Sequence, residues 1–257
     1  MTELRTRLAF YPAIVLVYAI LLVPLVIVIA TSLTVQSAPT IPTDGLTLDW
    51  YVSLFQNQRL IDAMIVSTIV ASATAVVAGI VGTITAFGFV RAEVRMKETF
   101  ATLMLLPLMI SPVITGVAFL RFGGLLAIPR GYPQIILAHS ILALPFVFLI
   151  VRSRLLTFDE RLEDASMIMG ANRLETTFNV TIPVIAPAMI AGMLIAFVIS
   201  FGEFTATQFL VTPSTTTVPI IIFNQIQTGL SPEISALATT LVAIMIIVSV
   251  LGDRISS

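Results

Sequence analysis

Residues 163–183 read EDASMIMGANRLETTFNVTIP, a compact polar stretch lying between long apolar runs. It carries Glu163, Asp164, Arg173 and Glu175 in a chain whose charged residues make up only 11%. Leu162 to Met169 is rich in helix formers, with Leu162, Ala165 and Met169 on one side and Arg161 and Asp164 off that face. Gly170 interrupts this run where a left-handed or closely approached backbone is wanted. Asn172 has the chemistry of a helix N-cap, and Glu175 is its capping-box partner. That second helix is expected to run through Phe178 and Val180 until Pro183 and Pro187 open the next apolar run. The product is helix, glycine turn, helix, a knob whose consecutive Met167, Ile168 and Met169 call for a protein partner. A plain amphipathic connector on the bilayer surface is the other reading.

The flanking sequence places this knob in a membrane protein. Of the 257 residues, 58% are apolar, and the mean hydropathy is +1.06. Charge-free runs cover 8–43, 63–90, 99–120, 131–151, 176–202, 204–232 and 234–252. A helix needs roughly 20 apolar residues to cross a hydrocarbon core about 30 Å thick. The run 204–232 contains TPSTTTVP and NQIQTG, which argue against an uninterrupted lipid-facing helix. We therefore expect an all-α, polytopic helical bundle forming one transmembrane domain, 1–257, with six spans near 9–32, 63–89, 100–121, 133–152, 184–210 and 235–252. The segment 211–231 is then an outer loop with room for a short re-entrant or surface helix.

The basic residues orient the chain. Arg5, Arg7, Arg91, Arg95, Lys97, Arg152, Arg154, Arg161, Arg173 and Arg254 fall on the side of both termini, and Arg59, Arg121 and Arg130 on the other. The positive-inside rule puts the termini and the 153–183 connection in the cytoplasm. The first span is too long, and lacks a small-residue cleavage site, for a removable signal peptide.

Enzymatic signatures are missing. The chain has no cysteine, one lysine (Lys97), one histidine (His139), and no HExxH, GxSxG or GxxxxGK pattern. We expect no catalytic residues, no metal site and no cofactor in this chain, and no nucleic acid among its partners. His139, without a second histidine, reads as a packed or hydrogen-bonded helix residue. Ala78, Gly82 and Ala86, and the neighbouring row Ala71, Ala75 and Gly79, have the small-residue period of close helix packing. Pro107, Pro112 and Pro145 are expected to bend their helices. Glu203 is the one acid deep in an expected span, and such a charge marks a pathway, a gate or a structural partner. Thr205 and Gln208 offer neutral polar lining beside it. Phe201, Phe204 and Phe209 read as packing more than as stackers against a bound molecule.

Residues 163–183 resemble the cytoplasmic coupling loop of binding-protein-dependent ABC importer permeases, whose signature is Glu-Ala-Ala, three residues, Gly and later Leu-Pro. Here it appears as Asp164-Ala165-Ser166, Met167-Ile168-Met169, Gly170-Ala171 and finally Thr181-Ile182-Pro183. Aspartate shortens the usual carboxylate, for which Glu163 can compensate, and Ser166 is a small-for-small change. The likeness extends to GLTLDWYVSLFQN (45–57), LLPLMISPVITGVAF (105–119), LPFVFLIVRSRL (144–155), AFVISFGEFTATQFLVTPSTTTVPIIIF (196–223) and SPEISALAT (231–239). The pattern most resembles the second permease of spermidine/putrescine-type importers, and ferric-iron and thiamine permeases share much of it.

The resemblance implies a permease subunit in a prokaryotic inner (plasma) membrane, surrounded by lipid. Its partners would be two cytosolic ATPase subunits that bind ATP and Mg, a second permease, and an external substrate-binding protein. Glu163, Asp164, Ala165, Ser166, Gly170 and Ala171 would couple it to the ATPase. Glu203, Phe204, Thr205 and Gln208 would lie on the substrate pathway. A polyamine is the leading cargo, with ferric iron or thiamine as alternatives. An ion-gradient-driven secondary transporter is the reading from another class. It usually needs paired ionisable groups near mid-membrane, whereas this chain offers one acid and one histidine there.

Overall fold

Apolar runs punctuated by proline and by short polar breaks give a chain of helices. The computed structural model describes residues 2–91, 97–229 and 231–256. Its helices are α1 (Thr2–Thr31), α2 (Asp49–Gln56), α3 (Gln58–Arg91), α4 (Lys97–Met109), α5 (Pro112–Leu125), α6 (Tyr132–Leu156), α7 (Arg161–Ile168), α8 (Arg173–Thr176), α9 (Ile182–Gly202), α10 (Val218–Thr228) and α11 (Pro232–Ser256). The all-helical membrane class expected from composition is thus observed. Arg95, one of the orienting basic residues, lies outside the described residues.

Among the described residues, four helical stretches are long and apolar enough to cross a membrane: Ile14–Thr31, Gln58–Arg91, Tyr132–Leu156 and Arg173–Gly202. The pair Thr99–Met109 and Pro112–Leu125 makes a fifth if counted as one broken span, and Pro232–Ile247 is a shorter apolar helix at the sixth expected position.

Two compact units are present, Met1–Ile61 with Ile222–Ile244, and Asp62–Ile221 with Met245–Ser257. In the first, the 14–29 part of α1 exposes apolar side chains all round, as a lipid-facing helix does. After it, Thr34 pairs with Leu46 in an antiparallel bridge, and the Trp50 indole N–H donates to the Thr34 carbonyl at 2.7 Å. Asn57 Nδ2 donates to Glu233 Oε1 at 3.2 Å, and Thr31 Oγ1 to Ser235 Oγ at 3.2 Å, which tie α2 and the end of α1 to the start of α11.

In the second unit α6 and α9 run along each other, burying Ala143, Val147, Phe148, Ile185 and Ala196 together with Ala75, Ala78 and Ala86 of α3. The small-residue rows do what their period suggests. A Cβ at Gly82 would sit 2.8 Å from Val147 Cβ, so α3 lies directly on α6.

Two expected spans end differently from the sequence reading. The helix expected over 100–121 is broken at Ile110–Ser111, and its halves meet at 99°. Ser111 is extended (φ −60°, ψ 135°), as a residue before proline prefers, and Pro112 starts α5. The span expected over 184–210 instead runs from Arg173 to Gly202, through a π-helical turn at Thr177–Thr181. Pro183 has no N–H and its ring crowds the carbonyl of the preceding turn, and a wider turn relieves both without stopping the helix. Glu203, expected deep inside a helix, is therefore the residue immediately beyond the end of α9. The expected outer loop 211–231 contains α10.

Candidate functional site

The knob forms as its sequence dictates. Asp159 Oδ1 accepts the Arg161 N–H at 3.1 Å, and Glu163 and Asp164 lie in the first turn of α7, where a helix favours negative charge. Gly170 adopts φ +99°, and the Ala171 N–H reaches back to the Ser166 carbonyl at 3.2 Å, closing the end of α7. Asn172 Oδ1 accepts the Glu175 N–H at 2.9 Å while Glu175 Oε2 accepts the Asn172 N–H at 2.8 Å, completing the capping box. Across the turn, Ser166 Oγ meets Thr176 Oγ1 at 3.1 Å in a buried contact. The serine that stands for the motif's second alanine therefore has a partner inside the knob.

The outer face is apolar. Ile168 and Met169 are each 85% exposed, and Leu162, Met167, Leu174 and Phe178 are exposed as well. Asp164, Ala165 and Gly170 lie on the exposed surface, and Ala171 is half-buried. Exposed apolar side chains on a segment held by a capping box and a glycine turn form an ordered apolar surface.

Arg91, the last residue of α3, anchors the knob from below. Its Nη2 lies 2.6 Å from Glu163 Oε1, its Nη1 3.2 Å from Glu160 Oε1, and its guanidinium carbon 5.7 Å from the centre of the Phe158 ring. The Thr181 hydroxyl also donates to Glu163. Glu163 is thus held internally, whereas Asp164 stays exposed beside it. A cleft of about 370 Å³ opens here, lined by Arg91, Glu160, Glu163, Asp164, Met167 and Arg173 among others. The Glu160 carboxylate is 73% exposed, so its pair is worth only about 0.2–1 kcal/mol. Glu163, at 18%, holds the stronger link. Arg91→Ala is expected to lower local stability by roughly 1–2 kcal/mol, so that amides of 161–176 exchange about 5–30-fold faster in hydrogen-exchange mass spectrometry. Arg91→Lys should recover part of the protection. Unchanged exchange in Arg91→Ala would mean that the knob stands without its anchor.

A second constellation lies in the turn after α9. Glu203 leaves the helix (φ −75°, ψ 114°), and its Oε1 accepts the Ala206 N–H at 2.7 Å. Thr207 Oγ1 donates to the Glu203 carbonyl at 2.7 Å. These local bonds replace the helical ladder that would otherwise carry α9 onward. Glu203, Phe204 and Thr205 are half-buried, while Gln208 is exposed and donates to the Thr205 carbonyl at 3.1 Å. Phe201 is buried, in keeping with packing. On α6, His139 is 1% exposed, with Nδ1 2.8 Å from Ser200 Oγ and Nε2 2.7 Å from Thr207 Oγ1. Arg130 Nη2 donates to the carbonyls of Phe209 (3.1 Å) and Val211 (3.0 Å), holding the far end of the turn. Sequence reasoning foresaw a hydrogen-bonded His139 but not its partners, and it missed Arg91 and Arg130. The only signal for the two arginines was their position at the ends of apolar runs.

A family profile described as "Binding-protein-dependent transport system inner membrane component" matches residues 78–256. The spermidine/putrescine transport system permease protein PotC of Haemophilus influenzae is 30% identical over 240 residues, 93% of each chain. The putrescine transport system permease protein PotI of Escherichia coli is 35% identical over 202 residues, covering 76% of this chain and 72% of that one. Among solved structures, a bacterial ABC transporter involved in the import of the acidic polysaccharide alginate matches with a TM-score of 0.75 at 14% identity, over 99% of this chain and 97% of that one.

Proposed function

Because this chain belongs to the family of binding-protein-dependent transport system inner membrane components, and is a permease of an ABC importer, we propose that it moves a polyamine and is driven through the knob in the 153–183 connection. The carrying observation is that knob: helix α7, a glycine at positive φ and the capping box that starts α8, with Ile168 and Met169 exposed. Such a face fits a cleft on an ATPase. Asp164 meets a basic group there, Ser166 and Ala171 hold the turn, Ala165 lies at the contact, and Glu163 fixes the knob to α3.

The working assembly has two ATPase subunits, which bind ATP and Mg and carry the hydrolysis, a second permease and an external binding protein. This chain contributes no catalysis and no cofactor. It acts as one permease domain over 1–257, a reading supported by a family match that enters both compact units. Both termini and the knob face the cytoplasm. The polyamine cargo rests on the names of the relatives and on Glu203, a half-buried carboxylate in a turn with Phe204, Thr205 and Gln208.

The testing experiment is purification through a tag on this chain, followed by ATP-dependent uptake of radiolabelled putrescine in vesicles. An ATPase should co-purify, and uptake should require it. Uptake of ferric iron or thiamine in place of putrescine would replace the cargo and leave the machine. For orientation, a reporter fused after Thr43 or near Pro213 should lie outside the cytoplasm and one near Arg173 inside. An outside signal at Arg173 would overturn the coupling role. Glu203→Gln, which keeps the size but removes the charge, should reduce putrescine uptake while the ATPase stays bound. Parallel loss of ATP turnover and assembly would assign Glu203 to structure instead.

A further inference from the structure

We propose that His139 is the positioning residue of the cargo-facing turn: it clamps residues 203–207 to α6 and α9 through a one-way chain of hydrogen bonds. The inference rests on the reading above that Glu203, Phe204 and Thr205 line the cargo path. Thr207 has one hydroxyl proton, and it is directed at the Glu203 carbonyl, 2.7 Å away. The Thr207 oxygen must therefore accept from His139 Nε2–H at 2.7 Å. That leaves Nδ1 as the acceptor for the Ser200 hydroxyl at 2.8 Å. The order is Ser200 to His139 to Thr207 to the Glu203 carbonyl, with each donor used once. All three side chains are buried, Thr207 and Ser200 at 0% and 3% exposure.

The chain acts where the backbone has lost helical support. Beyond Gly202 the carbonyl of Glu203 has no helical partner, and the Thr207 hydroxyl satisfies it. His139 in turn fixes the Thr207 rotamer, because the one Thr207 proton goes to the Glu203 carbonyl and its oxygen must then face His139 Nε2–H. The Glu203 carboxylate stays outside the chain, on the Ala206 N–H. His139 thus sets the place of the turn without touching what the turn presents. An apolar residue at 139 would leave two buried hydroxyls without their partner and free the turn to shift.

The chain has no cysteine, so Thr205→Cys gives a single thiol in the turn. The test is its labelling rate by a permeant maleimide in the assembled transporter, alongside putrescine uptake. His139→Leu should change the rate about fivefold or more and cut uptake, while ATP hydrolysis persists. Thr207→Val should do the same, and the double variant should go no further, because both break one chain. His139→Gln, which keeps a donor toward Thr207, should label close to the parent. Should His139→Leu not assemble, Ser200→Ala breaks the first link and should shift the rate in the same direction. An unchanged rate in these variants, or losses that add in the double variant, overturns the role of His139. A changed rate with full uptake supports the clamp and removes the turn from the cargo path.

Discussion

Gly170→Asp is expected to abolish co-purification of the ATPase and to reduce uptake to background, with membrane insertion and the partner permease retained. At φ +99° a side chain is strained whatever the space, at a cost on the order of 1–2 kcal/mol. Within this chain nothing lies within 4 Å of the new Cβ, so the variant folds with a local penalty only. The larger effect comes from the interface. A carboxylate beside Ile168 and Met169 must be desolvated when the apolar face docks, which costs several kcal/mol if it finds no partner. Gly170→Ala separates the two terms, since it meets only the backbone cost and should dock several-fold more weakly. Asp164→Ala, which removes an exposed carboxylate and adds no strain, should weaken docking without abolishing it. Normal docking and uptake in Gly170→Asp would mean that the knob does not touch the ATPase.

Gly116→Val is expected to have a comparable effect by a different route. A Cβ on Gly116 of α5 would stand 2.6 Å from the Ala206 carbonyl oxygen, 2.8 Å from Ala206 Cα and 2.8 Å from the Phe209 ring. Two of those three atoms are backbone and cannot rotate aside. The turn that carries them is held by Glu203 through the Ala206 N–H and by His139 through Thr207, so it must move as a unit. Overpacking of this kind costs about 1–3 kcal/mol or more, enough to reduce uptake by roughly 5–150-fold if the turn lines the path. Gly124→Ala is the control, because the same helix there leaves open space for a Cβ. Uptake and assembly by size-exclusion chromatography are the readouts. Wild-type uptake in Gly116→Val would show that α5 and the turn do not need their close contact.

The turn of the knob was legible residue by residue because the interactions that shape it are local. Asn172 and Glu175 cap each other across three positions, and Gly170 needs only its own φ. Such features depend on side-chain chemistry and short spacing, which a sequence displays directly. The membrane class was equally accessible, since hydropathy sums over a run without reference to what the run packs against. Glu163 shows where legibility stops. Its place in the motif was evident, but its role as the internal hold on the knob depends on Arg91, 72 positions away.

The sequence by itself determined the helical membrane class, the small-residue face of α3, and the helix–glycine–helix knob with its exposed Met167, Ile168 and Met169. Only the tertiary structure decided where α9 stops, how sharply α4 turns into α5, and what holds the turn after α9. Hydropathy carried the expected helix through to 210, because apolar residues continue past Glu203. Its end at Gly202 is set by Thr207 and Glu203 bonding to each other and by His139, 61 and 68 positions from its partners Ser200 and Thr207. Those contacts exist only once α6 and α9 lie side by side. A hydrogen bond across that distance has no periodicity in the chain to announce it, and its geometry appears only when the helices have packed.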